Sequence, residues 1–192
     1  MRAAPARRTA SYDRPMDGKP RVLGVAGSSG SGKTHLIARL VRRLTDAGLR
    51  VSTIKHAHHQ FDVDVPGKDS HTHRMAGASE VIVSSSRRWA HIHEVRDGAE
   101  ATLAQLLRRL SPCDLILVEG FKGERHPKLE VYRPTVGTSP LYPSDPHIVA
   151  VASDEALPDA RVPVVDLNDT AAVAALVRAR AEPLEALFAA IA

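Results

Sequence analysis

A run of eight residues, Gly27 to Thr34, has the spacing of a phosphate-binding loop. It fits the pattern G-x-x-x-x-G-K-[ST]. Glycines let backbone N–H groups turn toward an anion, and the amino end of a following helix adds partial positive charge. Lys33 can then reach the β- and γ-phosphates, and the hydroxyl of Thr34 can bind Mg²⁺. The residues predicted to bind nucleotide are Gly27, Ser28, Ser29, Gly30, Ser31, Gly32, Lys33 and Thr34.

Three carboxylates are placed to help hold a nucleotide-bound Mg²⁺, which prefers oxygen ligands. Glu119 follows the apolar run 115–118, at the carboxyl end of a predicted strand, where open α/β sheets bind ligands. Asp62 and Asp64 lie in a long polar stretch after the second predicted strand. We predict Thr34, Asp62, Asp64 and Glu119 as metal ligands, and Lys33, Glu119 and Asp62 as catalytic residues. The alternatives are a structural carboxylate at Glu119 and a solvated loop face at the Asp pair.

A carboxylate in the last third of the chain is the candidate for reading the nucleotide base. An Asp accepts hydrogen bonds from guanine N1–H and N2–H₂, a donor pair that adenine lacks. Asp154 follows a predicted strand that ends at Ala152, and Asp166 and Asp169 are alternatives. A complete Asn/Thr-Lys-x-Asp motif does not occur in the sequence. We predict that Asp154 reads the base; the competing interpretation is a turn or helix N-cap.

Five of the ten histidines fall within residues 56–73. Imidazole binds Zn²⁺ and Ni²⁺, so a metal site is one interpretation of this density. No cysteine spacing typical of zinc accompanies the histidines, because Cys113 is the only cysteine. We favour the other interpretation, in which these histidines are neutral donors to phosphate or substrate.

Strands and helices that alternate along the chain must position these residues. Apolar residues predict strands at 22–26, 51–55, 80–84, 90–95, 115–118, 129–133, 147–152 and 162–165. Helical spacing predicts helices after the phosphate loop, with Gly48 as C-cap, and at 103–110, 170–179 and 183–190. Residues 56–73 and 134–146 are predicted to be loops. The alternation predicts an α/β fold with a mainly parallel, doubly wound sheet of the P-loop NTPase type.

Length and charge limit the class of protein. The 192 residues suit one domain, predicted over 21–192, preceded by a disordered basic extension over 1–20. Five basic and two acidic residues give residues 1–19 a charge of +3 out of a net +4, so the nearly neutral body argues against nucleic acid. No apolar run reaches the ~18 residues of a membrane span, and no secretory signal begins the chain. We predict a cytoplasmic protein without membrane or nucleic-acid partners.

Five segments of the sequence together form a longer pattern. They are Gly27 to Thr34, Thr53 to Ser70, Ala76 to Ala78, Val118 to Lys122 and Pro127 to Val131. This pattern resembles the molybdopterin-guanine dinucleotide biosynthesis protein B family, the MobB adapters. The resemblance implies a dimeric GTP-binding adapter with weak Mg²⁺-dependent GTPase activity, which assists the guanylyltransferase that attaches GMP to molybdopterin. By position it also implies that Asp62 to Asp69 form a switch-like loop and that Glu119 and Gly120 occupy the Walker B position.

Two other functions use the same phosphate loop. A P-loop small-molecule kinase usually carries an arginine-bearing lid, and only Arg125 and Arg133 lie near a possible lid here. A metallochaperone GTPase would deliver Ni²⁺ through the histidine-rich stretch. We favour the adapter, and we expect slow hydrolysis because the sequence places no arginine evidently as a finger.

Overall fold

Nine strands and five α helices are formed by the residues that the computed structural model describes, which are 18–57, 61–96 and 98–190. The strands are β1 Arg21–Ala26, β2 Val51–Lys55, β3 Glu80–Ser84, β4 Trp89–His93, β5 Leu115–Glu119, β6 Lys128–Tyr132, β7 Ile148–Ser153, β8 Val164–Asp166 and β9 Glu182–Pro183. The helices are α1 Lys33–Asp46, α2 Asp69–Met75, α3 Leu103–Leu107, α4 Thr170–Arg180 and α5 Leu184–Ala190. None of these helices is long and apolar enough to cross a bilayer. Residues 1–17 of the predicted extension lie outside the described residues, so its boundary stays a prediction.

The chain divides into two units, which are described separately below. The sheet unit comprises the described residues up to His56 and those from Leu103 onward. The hairpin unit comprises Ala57 to Thr102, without the residues that the structure does not describe. The sheet unit holds the phosphate loop, Glu119 and Asp154, whereas the hairpin unit holds Asp62 and Asp64.

The sheet unit is built on a mostly parallel sheet in the order β2-β5-β1-β6-β7-β8, with β9 antiparallel to the first residues of β1. The neighbours of β1 are β5 on one edge and both β9 and β6 on the other, because β9 pairs with Arg21 and Val22 and β6 starts opposite Gly24. Val25, Glu119 and Lys55 lie in register at the carboxyl ends of β1, β5 and β2. The predicted α/β fold is therefore confirmed.

Apolar side chains cover both faces of this sheet. One face packs against α1 and α4, and the other packs against α3, α5 and the segment that follows β6. In α1, Leu36, Leu40 and Leu44 recur every four residues and are buried, as the helical spacing predicts. Gly48, two residues after the end of the helix, has a φ of 85° and its N–H donates to the carbonyl of Thr45, as in a Schellman motif.

The local structure departs from the sequence-based expectation in three places. Residues 69–73 of the predicted loop belong to α2, a short helix that extends to Met75 and has no apolar stripe that a sequence pattern could detect. β3 and β4 pair with each other in an antiparallel hairpin and do not join the large sheet, although their composition resembles that of its strands. Residues 182–183 form β9, so α5 begins at Leu184, because a two-residue strand is defined by its neighbour β1 and not by its own sequence.

Candidate functional site

The phosphate loop leaves the carboxyl end of β1 and leads directly into α1, as the motif requires. Its first residue, Gly27, has a φ of 140°, and a β-carbon there would lie 2.4 Å from the carbonyl oxygen of Val131. Gly32 caps α1 with a φ of 96° and has no side chain that could bond to the first turn, and that turn holds no acidic residue. The first N–H groups of α1 are therefore suited to bind an anion.

Lys33 lies over the loop. Its ammonium donates a hydrogen bond to the carbonyl of Ser28, with Nζ and O 2.6 Å apart. Burial lowers the pKa of Lys33, the carboxylate of Glu119 opposes that shift, and the positive charges of Lys122 and Lys55 add to it. The ammonium is thus held by a neutral acceptor in a crowded cationic environment, and an anion would satisfy it better.

Thr34 and Glu119, two of the predicted metal ligands, meet in the structure. The Thr34 hydroxyl donates to Oε1 of Glu119 over 3.0 Å, and Lys55 Nζ lies 3.7 Å from the same oxygen. A hydroxyl and a carboxylate at the edge of the phosphate loop are the kind of oxygen donors that Mg²⁺ prefers, so this pair fits that cation.

The segment after Glu119 is fixed by His56, a residue of the histidine-rich stretch. The His56 N–H donates to the carbonyl of Glu119 over 2.8 Å, and its ring stacks on Phe121 with centroids 4.6 Å apart. Gly120 has a φ of 93°, and a β-carbon there would lie 2.8 Å from the β-carbon of His56. His56 therefore positions the loop that carries Glu119.

Asp62 and Asp64 are both bound by Arg74 within the hairpin unit. Nη2 of Arg74 lies 2.6 Å from the Asp62 carboxylate and 2.9 Å from Asp64, and Nη1 lies 3.1 Å from Glu94. Hydrogen bonds from Arg74 hold the pKa of Asp62 down to about 2. Asp62 and Asp64 are thus brought together by an arginine, and cation binding by these residues stays a prediction.

Other described histidines make local contacts. His93 lies 2.7 Å and His91 3.5 Å from the carboxylate of Glu80, across the hairpin. Among the described residues, no group of three or more His, Cys, Asp or Glu side chains is arranged to hold a metal ion. His58 and His59 lie outside the described residues, so their predicted roles are not addressed by the structure.

Asp154 borders a cavity of about 460 Å³ at the carboxyl ends of β7 and β8. This volume lies in the usual range for small-molecule sites. The alternative candidate Asp166 also lines the cavity, whereas Asp169 is the N-cap of α4 and accepts from the N–H groups of Ala171 and Ala172. The structure thus assigns the N-cap interpretation to Asp169 and leaves Asp154 and Asp166 beside the cavity.

Three basic residues lie near the loop that the sequence does not assign to the nucleotide site. Lys55 and Lys122 perturb Lys33, and Arg133 lies beside Gly32, where a β-carbon would be 3.9 Å from its Nε and Nη2. Lys55 and Arg133 stand at strand ends, which is a usable signal. These strand ends lie near the loop because of the order of the strands in the sheet, and local sequence patterns do not predict that order.

Comparison with known proteins identifies close relatives. The family model described as MobB, molybdopterin guanine dinucleotide synthesis protein B, matches residues 22–154. The chain is 44% identical over 164 residues to the molybdopterin-guanine dinucleotide biosynthesis adapter protein of Escherichia coli (strain K12), with 83% of this chain and 93% of that protein covered. It is 41% identical over 154 residues to the adapter protein of the same name in Haemophilus influenzae, with 80% and 85% covered. A crystal structure of molybdopterin-guanine biosynthesis protein B superposes with a TM-score of 0.64 and 27% identity, covering 82% of this chain and 98% of that chain.

Proposed function

Because this chain belongs to the MobB family, we propose that it binds GTP with Mg²⁺ and serves as an adapter in the attachment of GMP to molybdopterin. The observation that carries the proposal is the phosphate loop, set between β1 and α1 with the Thr34–Glu119 pair beside it. All of these residues fall inside the matched range 22–154. The Escherichia coli and Haemophilus influenzae relatives bear the name of this adapter role.

In this proposal the phosphates of GTP bind the donor groups of the loop, some of which now bond to other protein atoms. Lys33 exchanges the Ser28 carbonyl for a phosphate oxygen, and the N–H groups of the loop and of the first turn of α1 face the anion. Thr34 and Glu119 hold Mg²⁺, which screens the phosphate charges when bound. Asp62 and Asp64 remain candidate cation ligands of the hairpin unit, and ligation by them requires that they leave Arg74.

The base is proposed to lie in the cavity bordered by Asp154. A carboxylate there accepts from guanine N1–H and N2–H₂, whereas adenine offers no such pair of donors. Preference for GTP over ATP follows from this arrangement. Hydrolysis is expected to be slow, below ~1 s⁻¹, since catalysis of this step usually needs a water-orienting residue and often a partner's arginine.

The partners are proposed to be a second copy of the chain and the guanylyltransferase. The hairpin unit leaves Ile82, Val83 and Trp89 45–67% exposed. Such apolar side chains on a hairpin suit an isologous interface between two copies. We place the guanylyltransferase contact at the nucleotide edge of the sheet and the complex in the cytoplasm.

One titration and one association experiment test the proposal. Binding of GTP, GDP and ATP is measured with and without Mg²⁺ for the unmodified chain and for Glu119→Gln, which keeps the shape of the side chain and removes its charge. We expect Mg²⁺-dependent preference for GTP, and a weaker Mg²⁺ dependence in the variant. Co-elution with the guanylyltransferase and formation of guanylated cofactor are then assayed with GTP, with GDP and without nucleotide. Absence of both association and stimulation in all three conditions contradicts the adapter role even if GTP binds.

A further inference from the structure

Arg133 lies beside the phosphate loop although it belongs to neither nucleotide motif. It directly follows β6, the strand next to β1, and its guanidinium reaches Gly32. A β-carbon on Gly32 would be 3.9 Å from both Nε and Nη2 of Arg133. Gly32 is the residue whose N–H begins the anion-binding turn of α1, so the guanidinium stands next to the position of a bound phosphate.

The donors of Arg133 are not fully used. The nearest carboxylate oxygen, Oδ2 of Asp154, is 3.6 Å from Nε, which is too long for a good hydrogen bond. Nε is buried and has no hydrogen-bond acceptor in the described part of the chain. A guanidinium carries five N–H donors in a planar fork that matches phosphate oxygens, so a buried N–H without an acceptor favours a ligand there.

Contacts on both sides of Arg133 hold its segment against the loop. Before it, the carbonyl of Val131 lies so close to Gly27 that no side chain fits between them. After it, the hydroxyl of Thr138 donates to Oγ of Ser28 over 2.9 Å. The close approach of Val131 and the side-chain hydrogen bond of Thr138 thus keep the segment that carries Arg133 beside the loop, within reach of a bound phosphate.

We propose that Arg133 is a phosphate-binding residue that also couples the phosphate site to the base site. This inference rests on the proposed GTP binding. In the free protein the guanidinium lies against Asp154, and a bound phosphate draws it toward Gly32. The carboxylate of Asp154 is then released to accept hydrogen bonds from the base in the neighbouring cavity. Occupation of the phosphate site thereby favours base recognition, and the coupling is reciprocal.

Arg133→Gln and Arg133→Lys test this inference, with Arg109→Gln as the matched control. Arg109 is exposed and precedes β5, at the opposite end of the sheet from the phosphate loop. Affinities for GTP, GDP and guanosine are measured by calorimetry in the presence of Mg²⁺. We expect Arg133→Gln to lower GTP affinity about 10-fold or more without lowering guanosine affinity, because a charge-assisted bond to phosphate is lost. Arg133→Lys should retain part of the GTP affinity, and Arg109→Gln should bind as the unmodified chain does.

A second pair of variants isolates the coupling. In an Asp154→Asn background, Arg133→Gln should still weaken GTP binding, but any gain in guanosine binding that it causes in the unmodified background should vanish. Equal losses for GTP and guanosine, or a lower Tm with unchanged affinities, would show that Arg133 only supports the fold. If the unmodified chain binds GTP and Arg133→Gln binds it equally well, this inference fails alone. If the unmodified chain binds no GTP, the proposed function fails and this inference fails with it.

Discussion

The sheet unit and the hairpin unit distribute their apolar and charged side chains in opposite ways. In the sheet unit, the large apolar side chains of the described residues are buried or half-buried. The large apolar side chains that remain exposed in the described chain all belong to the hairpin unit, where Phe61, Trp89 and Met75 are more than 60% exposed. Among the charged groups of the hairpin unit, Arg74 bonds to three carboxylates.

This difference implies that different interactions stabilise the two units. The sheet unit is stabilised by burial of apolar area, which salt hardly weakens. The stability of the hairpin unit depends more on ion pairs and on the proposed contact of its apolar surface with a second copy of the chain. Salt and association should therefore change the stability of this unit more than that of the sheet unit. The proposed nucleotide site lies in the first unit, and the proposed contact between two copies of the chain lies in the second.

A large-to-small substitution in each unit should give the largest contrast in stability. Leu117 is fully buried in the central sheet, and Leu117→Ala should lower the free energy of unfolding by about 2–5 kcal/mol. Ile82 is 67% exposed, so Ile82→Ala should change it by less than about 0.5 kcal/mol in a monomer. Urea unfolding of both variants at low protein concentration measures the contrast, and similar losses would refute it.

A buried histidine should make the sheet unit sensitive to acid. His126 is 1% exposed, and burial, with the nearby charge of Lys128, lowers its pKa to about 4. In the unfolded chain His126 takes up a proton near pH 6.5, whereas in the folded chain it does so only near pH 4. The free energy of unfolding therefore keeps its full His126 contribution above pH 6.5 and decreases as the pH falls from 6.5 to 4. This decrease in the free energy of unfolding reaches about 3 kcal/mol.

The comparison of His126→Asn with the unmodified chain isolates this effect. Burial raises the pKa of Glu130, which opposes the trend, but Glu130 is present in both proteins and cancels in the difference. The difference in unfolding free energy between the two proteins should change by about 3 kcal/mol from pH 7 to pH 4, because only the unmodified chain loses stability through His126. A constant difference across that range would exclude His126 as the source.

Removal of the Lys33 ammonium should locate nucleotide binding in the sheet unit. Lys33→Ala should weaken GTP binding by about 1.5–3 kcal/mol, or roughly 10- to 150-fold, because one charge-assisted phosphate contact is lost. Asp62→Asn with Asp64→Asn should have a smaller effect, confined to the Mg²⁺ dependence. Fluorescence titration with a labelled GTP measures both. Undiminished GTP affinity in folded Lys33→Ala would overturn the site assignment.

Removal of Arg74, which binds Asp62 and Asp64, should change the overall stability least and should act only on the hairpin unit. In Arg74→Gln, hydrogen exchange should speed up over 61–75 and stay unchanged in β1 and β5, because the lost bonds all lie in the hairpin unit. The control is Arg87→Gln, which removes an exposed arginine of the same unit. Faster exchange in β1 as well would show that the two units unfold together.

The sheet unit was also the more predictable of the two. The phosphate loop, α1 and the strand before Glu119 are local patterns, and each was predicted with nearly its observed bounds. The position of Glu119 at the carboxyl end of its strand is also predicted from the sequence. Its contact with Thr34, in the first turn of α1, additionally requires that β5 lie next to β1. Arg133 and Lys55 were missed as site residues because their proximity depends on strand order, which arises from long-range packing.

In the hairpin unit, local patterns were less informative. β3 and β4 have strand composition, but composition does not say whether a strand joins the large sheet or pairs only with its neighbour. The sequence predicts Asp62 and Asp64 as cation ligands, but it does not predict their bonds to Arg74, which depend on a helix, α2, that has no apolar periodicity. The sequence shows which charged residues are present, but it does not show which of them form ion pairs.

The pairing of β9 with the start of β1 brings together two segments that lie close to the ends of the described chain. The Leu184 N–H donates to the carbonyl of Pro20 over 2.8 Å, and Lys19 lies 3.0 Å from Glu185. This junction lies at the amino end of β1, whereas the phosphate loop leaves its carboxyl end. A short linker between the ends should therefore permit circular permutation, with new termini opened in an exposed loop. The same geometry makes either end a suitable point for surface immobilisation, because a tether there leaves the nucleotide edge facing solution.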